Sequence, residues 1–219
     1  MTPLTITTPI NSENASEALI RLSKTYPNEL NIIAVGRLTN IALAIQYDSN
    51  FSSRINQIII MGGAFFQNGN VTQYAEANIY GDPEAAEIVF NSDIKTTMVS
   101  LDVTSKTRIT MEDIKILASK IDFMGDFLIG INKTYSDNYF RIENRKSFPV
   151  HDSSAVAFAT KPELFKTANG ALKCVIKGEK RGQTIFIQDK FSKKRICIDV
   201  KSKELISDFF NRITKYYSW

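Results

Sequence analysis

Short apolar runs alternate with segments of helical periodicity through the first half of the chain. Residues 30–35, 58–61 and 96–101 are apolar on both faces, which predicts strands buried between two layers. Residues 16–26 carry apolar side chains at helical spacing and end before a proline. Asp82-Pro83-Glu84 is typical of a helix start and predicts a helix to about residue 90. This alternation predicts an α/β fold with an open, mostly parallel sheet and helices on both faces.

The second half of the chain has a different pattern. Residues 111–148 are predicted to be helical and aromatic, and a short helix is predicted over residues 153–160. The runs "LKCVIKG", "QTIFIQD" and "RICIDVK" alternate apolar and polar positions and predict strands, followed by a final helix over residues 203–216. No repeat, low-complexity segment or linker interrupts this order, which favours one domain over residues 1–219.

Composition and charge exclude several classes of protein. The net charge of +4 is too small to indicate a nucleic-acid partner, and the basic excess in the last quarter is typical of solvated strand edges. No apolar run approaches the ~20 residues that span a bilayer, and the amino terminus lacks the basic start of a secretory signal. Cys174 and Cys197 each lie in an alternating apolar run, which predicts buried free thiols. These features together favour a cytoplasmic protein without a membrane partner.

Polar residues follow several of the predicted strands. These are "GRLTN" after the first strand, "MGGAFFQNGN" and "AEAN" after the second, "LDVT" after the third, and "HD" at His151-Asp152. Ligands of open parallel sheets bind beyond the carboxyl ends of the strands, so these segments are the candidate site. Each signal has a plain alternative, since Thr39 or Asn40 would cap a helix through residue 45 and Gly62-Gly63 would form a turn.

The individual side chains also allow two interpretations each. His151 is the only histidine, and a lone histidine is more often structural than catalytic. Asp152 would cap the helix predicted to begin at residue 153. Glu76 and Asn78 lie two residues apart, so in extended chain their side chains point the same way. They are either a solvated loop or a grip for a ligand rich in hydroxyls.

The order of these motifs resembles the nucleoside hydrolase family, in its inosine–uridine-preferring form. The resemblance is carried by "IIAVGRLTNIALAI", "IIIMGGAFFQNGNV", "AEANIYGDPEAAEIVF", "TTMVSLDVT" and "HDSSAVAFATKPELF". It implies an α/β open sheet and hydrolysis of the N-glycosidic bond of ribonucleosides with a bound calcium ion. Such a reaction develops oxocarbenium character on the ribose, and the departing base needs a proton.

The resemblance assigns four residues to the sugar. Glu76 and Asn78 match the pair that hydrogen-bonds the ribose hydroxyls, and Asn70 matches the amide that reaches the ribose from "GN". Met61 matches the residue that packs beneath the sugar. On this reading the Glu76–Asn78 pair grips a ribonucleoside substrate.

The resemblance assigns three further residues to the metal and the proton. Thr39 matches the position whose backbone carbonyl binds Ca²⁺, and Asp152 matches a carboxylate ligand of the same ion. His151 matches the histidine proposed as proton donor to the base. Calcium takes six to eight oxygen ligands, so two are too few to hold it.

One part of the family pattern has no counterpart here. The family begins with a strand of the form Asp-x-Asp-x-x-x-Asp-Asp, which supplies the general base and most calcium ligands, and this chain carries no such cluster. We therefore expect a domain truncated at its amino terminus, impaired on its own, with a complementing amino-terminal segment or a homo-oligomer as partner. The alternative is a non-catalytic protein of the same fold that binds ribose or nucleosides. Binding of nucleic acid through the basic tail ranks behind both.

Overall fold

The computed structural model describes residues 12–121 and 124–217, and they form a sheet with packed helices. Its strands are β1 Leu30–Ala34, β2 Ile55–Met61, β3 Thr96–Val99, β4 Arg108–Thr110, β5 Ser147–Pro149, β6 Phe165–Cys174, β7 Thr184–Gln188 and β8 Lys194–Val200. Its α-helices are α1 Ala15–Thr25, α2 Thr39–Tyr47, α3 Phe51–Arg54, α4 Ala77–Gly81, α5 Pro83–Asn91, α6 Leu101–Thr104, α7 Met111–Ala118, α8 Gly125–Glu143, α9 His151–Thr160 and α10 Ser202–Tyr217. A 3₁₀ turn spans Pro162–Leu164.

The main sheet has six strands in the order β1-β2-β3-β8-β6-β7. Strands β1, β2, β3 and β8 run parallel to one another, whereas β6 pairs antiparallel with both β8 and β7. The predicted mostly parallel α/β sheet is therefore confirmed. Strands β4 and β5 form a separate antiparallel pair.

The core lies in two layers because successive residues of a strand face opposite sides of the sheet. In β2, Ile58 and Ile60 pack into one buried cluster, and Ile59 and Met61 into another. Helices α2 and α5 contribute to the first cluster, and α9 contributes to the second. This arrangement confirms the prediction that helices cover both faces.

Several predicted boundaries are wrong in the second half of the chain. Residues 111–148 do not form continuous helix, because the chain leaves α7, forms α8, and then enters β5. Strand β5 pairs with β4, which brings Pro149 opposite Arg108. Pairing over so long a sequence separation leaves no local signal. Helix α9 begins at His151, two residues before the predicted start.

Two smaller properties follow from the structure. Cys174 and Cys197 are both free and buried, as the sequence predicts. Among the described residues, no helix combines the length and the apolar character that crossing a membrane would require.

Substituting Ile60 should destabilise the fold far more than substituting an exposed isoleucine. Ile60 is fully buried, whereas Ile142 on α8 is 80% exposed. We expect Ile60→Ala to cost about 2–5 kcal/mol of unfolding free energy, and Ile142→Ala less than about 0.5 kcal/mol. Urea unfolding with an unchanged m-value measures both, and equal costs would contradict the two-layer core.

Candidate functional site

A cavity of about 520 Å³ opens where β1 and β2 end and α9 begins. Its wall includes Val35, which follows β1, and Ser153 in α9. Six of the seven site residues predicted from the sequence line this one cavity: Met61, Asn70, Glu76, Asn78, His151 and Asp152. They come from separate stretches of the chain, and the fold brings their side chains to one cavity.

The Glu76 carboxylate is buried and bonded to the backbone. The residue is 2% exposed, its Oε2 accepts the N–H groups of Gly63 at 3.0 Å and Ile79 at 3.1 Å, and its Oε1 accepts the N–H of Asn78 at 2.9 Å. It is the N-cap of α4. The prediction that the chain is extended from Glu76 to Asn78 is therefore wrong, because helix α4 begins at Ala77, directly after its Glu76 cap.

Burial also shifts the pKa of Glu76. Loss of solvent raises the pKa of this carboxyl above its ordinary value, while the three backbone N–H groups act in the opposite direction. The nearby charge of Asp152 adds to the upward shift. A carboxyl held in this way is a fixed hydrogen-bonding group in the cavity wall, not a solvated one.

Two asparagine side chains on the wall each have one amide atom bonded to the backbone and the other without a partner. Asn78 donates through Nδ2 to the Met61 carbonyl at 3.1 Å, and Asn70 accepts through Oδ1 from the Ala77 N–H at 2.9 Å. Neither the Asn78 Oδ1 nor the Asn70 Nδ2 has a hydrogen-bond partner within the described chain. One acceptor and one donor thus remain for a ligand.

His151 is held through both ring nitrogens. Its Nδ1 lies 2.7 Å from the Thr104 hydroxyl, and its Nε2 lies 3.0 Å from the Tyr139 hydroxyl. Burial, together with the positive charge of Arg108, lowers the pKa of His151 to about 4. The imidazole is therefore neutral near pH 7, with a hydroxyl group on each nitrogen.

Asp152 does not cap α9. The N-cap is Val150, without a side-chain cap bond, and Asp152 lies within the first helical turn. The capping interpretation is therefore wrong. Within the described chain the carboxylate has no hydrogen-bonding or ionic partner, and partial burial raises its pKa. It is a free oxygen ligand on the cavity wall.

Thr39 lies apart from the other six residues. Its hydroxyl donates to the carboxylate of Asp82, and it is not among the residues that line the cavity. Neither Thr39 nor Asn40 caps α2, since the N-cap is Leu38 and makes no side-chain bond. By contrast Asp82 caps α5 as predicted, accepting the Ala85 N–H at 3.0 Å.

The residues present do not fit a calcium ion. Calcium prefers six to eight oxygen ligands, and Asp152 is the partnerless carboxylate of the cavity. Over residues 12–121 and 124–217, no three or more His, Cys, Asp or Glu side chains are grouped so that they could hold a metal ion. The described residues of the cavity thus supply fewer oxygen ligands than the calcium ion implied by the resemblance would take.

Helix α8 contributes residues that the sequence did not single out. Tyr135 and Tyr139 lie four apart, so they share a helix face, and both line the cavity together with Asn132. Burial raises the pKa of Tyr135, whose ring packs against that of Tyr139 at 4.9 Å. Their i, i+4 spacing indicates a shared helix face in the sequence, but only the tertiary fold shows that this face of α8 lies against the cavity.

A second cavity of about 500 Å³ adjoins the first. The two share Asn70, Tyr135, Tyr139, Pro149 and His151. The rest of the lining of the second cavity combines the apolar Leu101 and Ile142 with polar residues, which are Gln67, Asn68, Ser105, Asn138 and Glu143. His151 and Tyr139 thus lie on the boundary between two adjoining chambers.

Comparison with known proteins gives a consistent result. The model of the family described as inosine–uridine preferring nucleoside hydrolase matches residues 2–208. A probable uridine nucleosidase 1 of Oryza sativa subsp. japonica is 36% identical over 80% of this chain and 54% of its own length. The pyrimidine-specific ribonucleoside hydrolase RihA of Salmonella newport is 31% identical over 92% of this chain and 67% of its own.

The solved structures agree. A purine-preferring ribonucleoside hydrolase from Gardnerella vaginalis superposes with a TM-score of 0.92 at 30% identity, covering 97% of this chain and 69% of that protein. The chain spans about half the length of the uridine nucleosidases that it matches.

The protonation of His151 can be read directly because the chain has a single histidine. The pKa of His151 is about 4 in the folded chain and ~6.5 in the unfolded chain. As the pH falls, the imidazole of the unfolded chain is therefore protonated before that of the folded chain. The contribution to stability is therefore complete above pH ~6.5 and is lost as the pH falls towards 4, by up to about 3 kcal/mol. The imidazole proton resonances should show no titration between pH 8 and 5.5. A midpoint near 6.5 would contradict the buried, doubly bonded geometry. His151→Gln should remove the same part of the acid dependence of unfolding.

Proposed function

This chain belongs to the inosine–uridine preferring nucleoside hydrolase family, and we propose that it binds a ribonucleoside by its ribose and takes part in hydrolysing the N-glycosidic bond to ribose and free base. The observation that carries the proposal is the convergence of Met61, Asn70, Glu76, Asn78 and His151 on one cavity at the carboxyl ends of parallel strands. Salvage of purine or pyrimidine bases is the role that this reaction serves. Two free buried thiols favour a cytoplasmic setting.

The polar groups of the wall are those that a ribose requires. Each hydroxyl of the sugar can donate and accept, and the wall offers the free Asn78 Oδ1 as acceptor and the free Asn70 Nδ2 as donor. The Glu76 Oε1 carries one N–H bond and retains a lone pair. Met61 supplies an apolar surface on the same wall. Because these groups are fixed by the backbone, they lose little entropy on binding.

The adjoining cavity supplies room for the base. Its lining of amide and hydroxyl groups suits the carbonyl and ring-nitrogen edges that nucleobases present. The names of the relatives divide between uridine, pyrimidine and purine substrates, so we propose no base preference.

Proton delivery to the departing base is assigned to His151 and Tyr139 together. A leaving base carries negative charge on nitrogen and departs more easily when protonated. With a pKa of about 4, His151 is not a free imidazolium near pH 7, but its Nε2 shares a hydrogen bond with the Tyr139 hydroxyl. In the proposed step the Tyr139 hydroxyl proton passes to the base nitrogen as the C–N bond breaks, and the His151 Nε2–H donates to the tyrosinate oxygen until solvent returns the proton.

The 219 residues alone are proposed to be impaired in turnover, because further oxygen ligands are needed for calcium. Strand β1 pairs with β2 and ends the sheet, leaving Ile33 and Val35 36% and 42% exposed. A groove of about 320 Å³ beside it contains Val35, Asp152 and Val156, and so adjoins the site. We propose that a complementing strand with acidic residues fits there.

A second candidate function follows from the same ligand count. A chain that keeps the sugar-binding groups, and whose described part holds no cluster of metal ligands, is suited to bind ribonucleosides without hydrolysing them. Binding of ribose hydroxyls needs no general base, so the two functions separate at the step of bond cleavage.

Calorimetry and product analysis on one preparation decide between these functions. We expect uridine or inosine to bind, with ribose released slowly by an impaired hydrolase and not at all by a non-catalytic binding protein, in either case unaffected by adding or chelating Ca²⁺. Rapid release that chelation abolishes would contradict the impaired site. Absence of any nucleoside binding would remove both functions.

The proton-delivery assignment predicts different losses for different leaving groups. In a preparation whose turnover is restored by the proposed complementing acidic strand, joined to the chain or added as a partner, His151→Ala should slow cleavage of inosine or uridine by about 10²–10⁴-fold, which is roughly 3–5 kcal/mol of barrier. Tyr139→Phe should act in the same direction. With a nitrophenyl riboside, whose leaving group needs no proton, both losses should largely vanish.

Tyr216→Phe is the matched control for Tyr139→Phe, because Tyr216 is 74% exposed on α10 and lies outside both cavities. It should leave both rates unchanged. Equal losses on the two kinds of substrate for His151→Ala and Tyr139→Phe would remove the proton-delivery role.

A further inference from the structure

The loop that follows β2 is held by side chains and not by secondary structure. The four consecutive backbone N–H groups of residues 63–66 each donate to a side-chain oxygen, at 2.7–3.0 Å. The acceptors are Glu76, Thr184 and Asp102, with Asp102 accepting two of the four. Three distant parts of the chain therefore determine the conformation of loop 63–66.

Asp102 is the acceptor that uses both carboxylate oxygens. Its Oδ2 accepts the N–H of Phe65 at 2.9 Å and the hydroxyl of Ser100 at 2.7 Å, and its Oδ1 accepts the N–H of Phe66 at 2.7 Å. Hydrogen bonds from backbone N–H groups to a carboxylate are charge-assisted and short, so they fix geometry well. Asp102 thus clamps the end of the loop.

Thr184 clamps the beginning of the loop. Its hydroxyl accepts the N–H of Ala64 at 3.0 Å and donates to the carbonyl of the same residue at 2.9 Å. Gly63 has a φ of +79°, and a Cβ there would lie 3.1 Å from the Thr184 side chain. The positive φ and this close contact both disfavour a side chain at position 63.

Helix α6 serves both halves of the site. Asp102 holds loop 63–66, and Thr104, two residues later, contacts the Nδ1 of His151 at 2.7 Å. The motif "LDVT" therefore connects the sugar-binding side of the cavity with the histidine, although neither Asp102 nor Thr104 lines the cavity.

We infer that Asp102 is a positioning residue for ribose binding. Loop 63–66 lies between Met61 and Asn70, which both line the cavity, so releasing the loop displaces the two groups relative to each other. Asp102 touches no cavity surface and acts through the loop. This inference rests on the proposed ribose-binding function and identifies a residue that controls its affinity.

The test uses an isosteric substitution and a matched control. Asp102→Asn keeps the shape but places an amide N–H₂ against a backbone N–H. Asp113→Asn is the control, because Asp113 accepts a backbone N–H and a hydroxyl, both from Thr110 at 2.7 Å, and lies outside the cavity. Thr184→Val removes both hydrogen bonds to Ala64 and tests the loop from its other end.

Two measurements are made on the full chain: amide hydrogen exchange by NMR, and the affinity for uridine and inosine by calorimetry. Asp102→Asn should speed exchange at Phe65 and Phe66 and weaken nucleoside binding, each by about tenfold or more, as expected for losing a charge-assisted bond. Thr184→Val should weaken binding in the same direction. Asp113→Asn should leave both quantities within about twofold while lowering stability through its lost cap.

The outcomes separate the two claims. Affinity unchanged in Asp102→Asn, or exchange that rises equally throughout the sheet, would overturn the positioning role. Absence of nucleoside binding by the unsubstituted chain would remove the proposed function itself.

Discussion

The arrangement of this site depends on one buried carboxylate. Glu76 accepts three backbone N–H groups, from the loop after β2 and from the first turn of α4. A buried carboxylate without such partners would cost several kcal/mol, so the loop and the helix must meet where Glu76 lies. Asn78 is fixed by the same contact, and its amide reaches the end of β2 at Met61. The hydrogen bonds of this one carboxylate thus hold the loop after β2 and the start of α4 together in the cavity wall.

Capping and ligand binding are compatible roles for such a residue. A carboxylate has about four acceptor positions, and Glu76 uses three of them on the backbone. The structural contacts hold the remaining position in place, which is what binding a sugar hydroxyl requires. Asp152 is the contrasting case, because its carboxylate has no partner in the described chain and is free for a ligand. The same wall therefore combines a fixed acceptor with an available one.

The sequence predicted the parts of the fold that local chemistry determines. The apolar strands and the Asp82-Pro83 helix start were correct, because burial and capping act within a few residues. The caps assigned to Thr39 and Asp152 were wrong, because tertiary contacts of β5 and α5 changed their surroundings. Tyr139 was missed for a similar reason, since its contact with the cavity depends on how α8 packs. Six of the seven predicted site residues still converge on one cavity. Four of them lie at the end of β2 or in the segment after it, whereas His151 and Asp152 follow β5 of the separate antiparallel pair.

Titration of the ¹⁵N-labelled chain with uridine and with inosine tests the central claim most directly, because it shows where the nucleoside binds. The amide signals of Gly63, Ala77 and Asn78, which donate to the groups of the cavity wall, should shift in step with that of Asp152. Signals from α1, which packs against α2 and α3 and lines neither cavity, should stay in place. Shifts confined to α1, or no shifts at all, would contradict a ribose-binding cavity built around Glu76.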